Sequence, residues 1–224
     1  MKRNIKITLI VCLVWVAFVM FLTYSRYADN NDAVQDGTEV STEALREIGA
    51  MIYEEPVSLS SFALQDHHGL PYTDESMLGK WSLLFFGFTN CPDICPLTMF
   101  ELTGFYNDLE GSALQTDTQV VMVSVDPFRD DTAQIAEFMR GYHEDFLGVN
   151  GDFDQISRLA RELFVAHGVM PVPAPDGGTP RNFLIDHSGN ILLVDPQGQY
   201  RGFLEPNIKR DRIAEAYRII RAQY

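Results

Sequence analysis

The stretch Leu83-Leu84-Phe85-Phe86-Gly87-Phe88-Thr89-Asn90-Cys91-Pro92-Asp93-Ile94-Cys95-Pro96-Leu97-Thr98-Met99 decides the reading of this chain. Leu83 to Phe88 is short, apolar and aromatic-rich, the signature of a buried strand rather than a helix. Pro92 steers Cys91 away from helical backbone, whereas Pro96 suits the first position of a helix, where a missing N–H costs nothing. On this reading Cys95 caps the helix. Both sulfurs then stand at a helix N-terminus, where the macrodipole and free amides favour thiolate over thiol. A structural disulfide is the bland alternative for Cys91 and Cys95, but so short a loop constrains the unfolded chain little. The third cysteine, Cys12, lies far away in an apolar segment.

Upstream, Lys2, Arg3 and Lys6 form a basic head over residues 1–6, and an uncharged apolar run follows over residues 7–24. That length suffices to cross a bilayer as one helix, and the flanking charge predicts a cytoplasmic N-terminus. Ser25-Arg26-Tyr27-Ala28 is a poor small-residue cleavage site, which favours an uncleaved anchor over a signal peptide. With no amphipathic Arg-rich transit segment, the expected location is a bacterial inner membrane, single-pass, with the C-terminal part in the periplasm. Beyond the head, 14 basic residues face 31 acidic ones, a charge of about −17. Nucleic acid is excluded as a partner on that sign.

Residues 25–55 read as an acidic tether ending in a short helix with Leu45, Ile48 and Ile52 on one face, stopped by Glu54-Glu55-Pro56. Residues 56–224 read as one α/β domain. A strand over 60–64 and a turn at Asp66-His67-His68-Gly69 precede the alternating elements: strand 83–88, helix 97–109, strand 119–125, helix 131–142 and helix 153–166. Alternation of this kind implies parallel strands covered by helices. The Pro- and Gly-rich run 169–180 reads as a surface loop, followed by an extended run 183–185. A hairpin then joins strands 191–194 and 199–204 through the turn Asp195-Pro196-Gln197-Gly198. Ile208, Ile213, Ala216, Tyr217 and Ile220 mark a final helix over 207–224 that covers a sheet face.

This order is that of a thioredoxin-like fold, a central mixed sheet flanked by helices, here preceded by one transmembrane helix. In such an arrangement the residue before the terminal hairpin faces the cysteine loop, and His187 stands there. A lone histidine is commonly just a surface hydrogen-bonding group. Two thiolates and an imidazole, however, form a soft three-ligand set suited to copper(I), with copper(II) held by adding water or another protein group. Zinc competes on ligand type alone.

The run Gly87-Phe88-Thr89-Asn90-Cys91-Pro92-Asp93-Ile94-Cys95-Pro96 resembles the copper-site signature of the Sco/SenC proteins. Three further stretches agree in order: Phe62-Ala63-Leu64 with Asp66 and Gly69; Val123-Ser124-Val125-Asp126-Pro127 with Arg129-Asp130; and Leu184-Ile185-Asp186-His187-Ser188 followed by Leu193 to Gly198. The resemblance implies a membrane-anchored copper protein with Cys91, Cys95 and His187 as metal ligands. It also implies a partner: the binuclear copper centre of cytochrome c oxidase subunit II, which such proteins load with copper or whose cysteines they keep reduced. The chain departs from the pattern in its Pro171 to Pro180 segment and in the pair His67-His68. That pair offers an auxiliary metal site in principle, although adjacent histidines in an exposed turn are ordinarily innocent. His143 and His167 fall near predicted helix C-termini, where a cation suits the dipole. Asp93 either tunes the dithiol or shapes its turn, and Asp126 either serves the site or caps the next turn. The same cysteines also admit a metal-independent thiol-disulfide oxidoreductase or redox sensor, with Cys91 as the attacking, more exposed sulfur, or more remotely a thiol peroxidase.

Overall fold

A computed structural model describes residues 15, 18, 20, 21, 42–172 and 182–224. The chain divides into two compact units, Met1–Glu39 and Val40–Tyr224. In the first, Trp15, Phe18, Met20 and Phe21 are helical with exposed side chains. The remainder of the expected span over 7–24 lies outside the described residues. Among the described residues no helix is long and apolar enough to cross a membrane.

The second unit runs α1 (Thr42–Glu47), β1 (Ala50–Ser58), β2 (Ala63–Asp66), β3 (Pro71–Thr73), a 3-10 turn (Asp74–Met77), β4 (Trp81–Gly87), α2 (Ile94–Asn107), α3 (Ala113–Thr116), β5 (Thr118–Ser124), α4 (Thr132–Met139), β6 (Leu147–Asn150), α5 (Phe153–Glu162), β7 (His167–Val172), β8 (Asn182–His187), β9 (Ile191–Val194), β10 (Gln199–Leu204) and α6 (Arg210–Gln223). Eight strands form one mixed sheet in the order β1-β10-β9-β4-β5-β6-β2-β3, while β7 and β8 make a separate antiparallel pair. The centre is parallel, β4 against β5 and β5 against β6, and β9 runs antiparallel to β4. Every residue of β4 and β5 is buried, as expected for strands covered on both faces. Burying side chains such as Leu83, Phe85, Val121 and Val123 stabilises the fold by roughly 1.5–3 kcal/mol each.

Helices α2 and α6 pack together through the edge-to-face pair Phe105 and Tyr217, whose centroids are 5.3 Å apart. The buried residues of α6 include Ile213, Ala216, Tyr217 and Ile220, four of the five apolar positions that mark the helix in the sequence. Helix α4 seats on β6 where Gly148 leaves room: a Cβ there would stand 2.3 Å from Ile135 Cγ2. At the β9–β10 turn, the buried Asp195 carboxylate accepts from the Gln197 and Gln199 N–H groups, both at 2.9 Å, and from Arg201 Nε at 2.7 Å.

Three expectations need correction. The short helix thought to reach Ile52 stops at Glu47, and Ile52 lies in β1, paired with Gly202. Pro56, read as a stop, sits where the β1–β10 register shifts, a place where its missing N–H breaks no rung. Helical spacing of three apolar residues misled because only Leu45 of the three belongs to the helix. Next, residues 169–172, read as surface loop, are part of β7, with Pro171 opposite Phe183 in the two-stranded pair; residues 173–181 lie outside the described residues. Last, β6 escaped notice because Leu147-Gly148-Val149-Asn150 is too short to show a period.

Gly202 has a φ of 153°, and a Cβ on it would lie 1.9 Å from the Met51 carbonyl oxygen. Gly202→Ala is therefore expected to lower unfolding stability in urea by about 3 kcal/mol, the range of a strained, clashing substitution. A loss under about 0.5 kcal/mol would show that β1 pairs with β10 more loosely than this.

Candidate metal centre

The parallel strand β4 ends at Gly87, and the loop from Phe88 to Asp93 turns the chain into α2. Asp93 occupies the N-cap position without a side-chain capping bond, so the helix starts at Ile94. Cys95 is thus inside the first turn rather than its cap, and Pro96 is the third helical residue, still ahead of the first N–H that the helix must bond. Asp93 is exposed and its carbonyl accepts from Leu97 N–H at 3.3 Å, which gives it the turn-shaping role.

Cys91 and Cys95 carry free thiols, hydrogen-bonded to one another. Cys91 is partly exposed and Cys95 fully buried. The expectation of two easily ionised sulfurs fails for Cys95. Burial pushes its thiol well above the ordinary cysteine range, the hydrogen bond with Cys91 and the nearby Asp130 charge push the same way, and a backbone hydrogen bond from Phe88 opposes them only in part. Desolvation outweighs the helix terminus here. Gly87 lets this sulfur approach the strand, since a Cβ at that position would lie 3.1 Å from Cys95 Sγ.

The loop is held by Asp130, a residue whose weight the sequence alone did not reveal. Its carboxylate is fully buried and accepts from Thr89 N–H at 2.9 Å, the Thr89 hydroxyl at 2.5 Å and the Ser124 hydroxyl at 2.7 Å. It therefore ties the start of the cysteine loop to the end of β5. Two hydroxyl residues and an aspartate at strand ends were the available signal. Asp126, buried beside it, pairs with Arg129, and its carbonyl accepts from the Arg129 and Asp130 N–H groups at 3.1 and 2.9 Å. Asp126 thus caps the turn. Tyr142 is a further neighbour that the sequence did not flag, and the negative charge of a Cys95 thiolate helps raise its hydroxyl, after burial.

His187 is the last residue of β8. Two positions on, the buried Gly189 packs against α2: a Cβ there would lie 2.4 Å from Ile94 Cδ1, the residue preceding Cys95. Pairing of Ile191 with Phe85 brings the same segment alongside β4. The chain after His187 therefore reaches the helix turn that carries Cys95.

His67 and His68 stack at 3.9 Å between centroids beside a cleft also lined by Met139, Arg140, Tyr142 and His143. His67 Nδ1 accepts from Gly148 N–H at 3.1 Å, which leaves its proton on Nε2 and no lone pair for a metal. His143 Nδ1 likewise accepts from Asp145 N–H at 3.1 Å. Among the described residues no three His, Cys, Asp or Glu side chains converge on a metal position.

Comparison with known proteins agrees with this architecture. The family model described as SCO1/SenC matches residues 52–221. The mitochondrial SCO2 homolog of Mus musculus is 32% identical over 177 residues, 79% of this chain and 65% of the mouse protein, so the chain spans just under two thirds of that relative. Among solved structures, copper-bound ScoI of Arabidopsis thaliana is 30% identical with a TM-score of 0.64, covering 74% of this chain and 98% of that one. Yeast Sco1 with copper bound is 30% identical with a TM-score of 0.66, covering 75% and 91%.

Two outcomes follow from the site's geometry. At neutral pH, alkylation read by mass spectrometry should label Cys91 first and spare Cys95, whereas Asp130→Ala, by freeing the loop, should speed Cys95 labelling at least roughly tenfold, the effect of about 1.4 kcal/mol in local opening. Equal rates in the parent would contradict the burial of Cys95. Burial, with the neighbouring His68, lowers the His67 pKa below 6.5, so its contribution to stability is complete above that value. As pH falls below it, the unfolded chain takes up a proton that the folded one refuses, and stability declines. Chemical unfolding at pH 7.5 and 5.5 should show a smaller decline in His67→Gln than in the parent.

Proposed function

The chain belongs to the SCO1/SenC family, and on that premise we propose that it is a membrane-anchored copper-binding protein in which Cys91, Cys95 and His187 hold copper(I) for the binuclear centre of cytochrome c oxidase subunit II. The observation that carries this reading is the hydrogen-bonded pair of free thiols at the first turn of α2, with the chain that follows His187 packed against the same turn. Two neighbouring thiols suit one soft ion, and in this reading His187, at the end of β8, supplies the third ligand. When bound, the ion supplies a soft acceptor for two thiolates. Everything else is done by the chain: Asp130 fixes the loop, Gly87 makes room for Cys95, and the partial exposure of Cys91 opens the site to an acceptor. Both thiols must be reduced, so oxidation of Cys91 and Cys95 to a disulfide would block loading. The uncharged run over 7–24 behind a basic head supports an inner-membrane anchor with the folded unit in the periplasm.

A second reading has one observation in its favour. Cys91 is accessible with Cys95 buried behind it, the order that thiol-disulfide exchange requires, so the same pair fits a protein that reduces the acceptor's cysteines.

Competition of the reduced, full-length protein with a chromophoric copper(I) chelator tests the first reading. One equivalent should bind tightly, and Cys91→Ala, Cys95→Ala and His187→Ala should each weaken binding by a factor of ten or more, the least expected for losing a ligand. Because Cys95 holds its proton at neutral pH, binding must release it, and apparent affinity should rise by at least about tenfold per pH unit. Absence of binding by the fully reduced protein would leave the thiol-exchange reading standing alone.

A further inference from the structure

The parallel strands β4, β5 and β6 all end at Asp130. Its carboxylate holds Thr89 of the cysteine loop and Ser124 at the end of β5, and its carbonyl accepts from the Asn150 side chain at the end of β6. Between Ser124 and Asp130 the chain turns, with Arg129 N–H donating to the Asp126 carbonyl at 3.1 Å and Pro127 and Phe128 in the two central positions. Phe128 is 80% exposed, more than any other large apolar side chain among the described residues. Its ring centroid stands 5.8 Å from that of Phe153, a partly exposed residue that opens α5 three positions after Asn150. A lone exposed phenylalanine needs no explanation. Here two rings on different elements are held together at the sheet edge that also presents the partly exposed Cys91. Cys91 is two residues after Thr89 and Phe128 two residues before Asp130, and two residues of chain span at most about 7 Å. Thiol and rings therefore fit beneath one partner, since a stable interface covers about 800 Å² on each side.

We propose that Phe128 and Phe153 form the docking surface for the protein that takes copper(I) from Cys91. The inference rests on the copper reading above and deepens it by stating the shape and charge of the acceptor. In transfer by ligand exchange, each copper–sulfur bond broken on this chain is replaced by one on the acceptor. Copper stays copper(I), and the proton leaving the acceptor thiol passes to the freed sulfur. An acceptor sulfur must come within bonding distance of the ion at Cys91, so the acceptor covers the surface around that thiol. The exposed Asp131, Asp152 and Asp154 flank the two rings in the chain, and the exposed Asp93 stands two residues from Cys91. Arg129, the cation of the same turn, is paired with the buried Asp126. The acceptor face that fits is an apolar recess for a phenyl ring, surrounded by a basic rim.

Timed mixing of the copper(I)-loaded, full-length protein with the reduced, metal-free copper domain of cytochrome c oxidase subunit II, followed by separation and metal analysis, tests this surface. Phe128→Ser should slow transfer to that domain at least about tenfold, as for truncating an aromatic anchor, and change transfer to a small chromophoric chelator less than about twofold. Phe128→Leu, which keeps an apolar tip, should recover part of the rate. Leu78→Ser, an exposed apolar position ahead of β4 and so at the opposite end of that strand from Cys91, should match the parent with both acceptors. Added salt should slow transfer to the domain and spare transfer to the chelator. Equal rates to the domain from Phe128→Ser and a loaded parent would overturn the docking surface and leave the copper site standing. Equal slowing toward domain and chelator would show that the substitution disturbs the thiols, and would overturn it as well. Transfer to the domain that salt leaves unchanged or speeds would overturn the basic rim. A reduced parent that takes up no copper(I) would overturn the copper reading and this surface with it.

Discussion

A buried carboxylate is the constraint on which this site depends. Asp130 sits in the core with no cationic partner among the described residues, and its carboxylate is accommodated there by Thr89 and Ser124, which donate to it from two sides. Those donors belong to the two segments that must be fixed relative to each other: the loop that presents the thiols and the end of the neighbouring strand. The parallel pairing of β4 with β5 brings both to one edge of the sheet, and the carboxylate locks them there. Loop geometry thus follows from the need to satisfy a charge in a dry interior.

That same interior sets the chemistry of the inner sulfur. A helix terminus next to a cysteine argues for a thiolate, but the terminus works within a turn and Cys95 is sealed behind Gly87, Phe85 and the first turn of α2. Desolvation dominates, and a thiol that stays protonated beside a partly exposed one gives the pair unequal roles. In the proposed site a soft metal strips that proton where water does not, so discrimination there rests on chemistry rather than on charge.

Much of this was legible in the residues because strand and helix signals agreed with their surroundings. The apolar runs at Leu83 and Val120, the dithiol between strand and helix, the Asp195 turn and the stripe of α6 all follow from local pattern. Errors arose where the pattern was short or served two structures. Leu45, Ile48 and Ile52 fit a helix by spacing, yet the chain bends into β1 because that edge of β10 is open to pairing. A Pro- and Gly-rich run concealed β7, since an isolated ribbon needs few of its N–H groups. Asp130 was visible only as one letter of a motif; its three donors come from residues 6 and 41 positions away, which no local period reports.

The separation of the β7–β8 ribbon from the eight-stranded sheet gives the two parts of the proposed centre unlike origins. The thiols follow directly on a strand buried along its whole length, so a change there is felt in the core. The proposed imidazole belongs to a ribbon that, among the described residues, shares no rung with that sheet. A lineage could therefore exchange donors on the ribbon, adding or removing a ligand, and retune which ion or oxidation state is held while the fold beneath stays as it is.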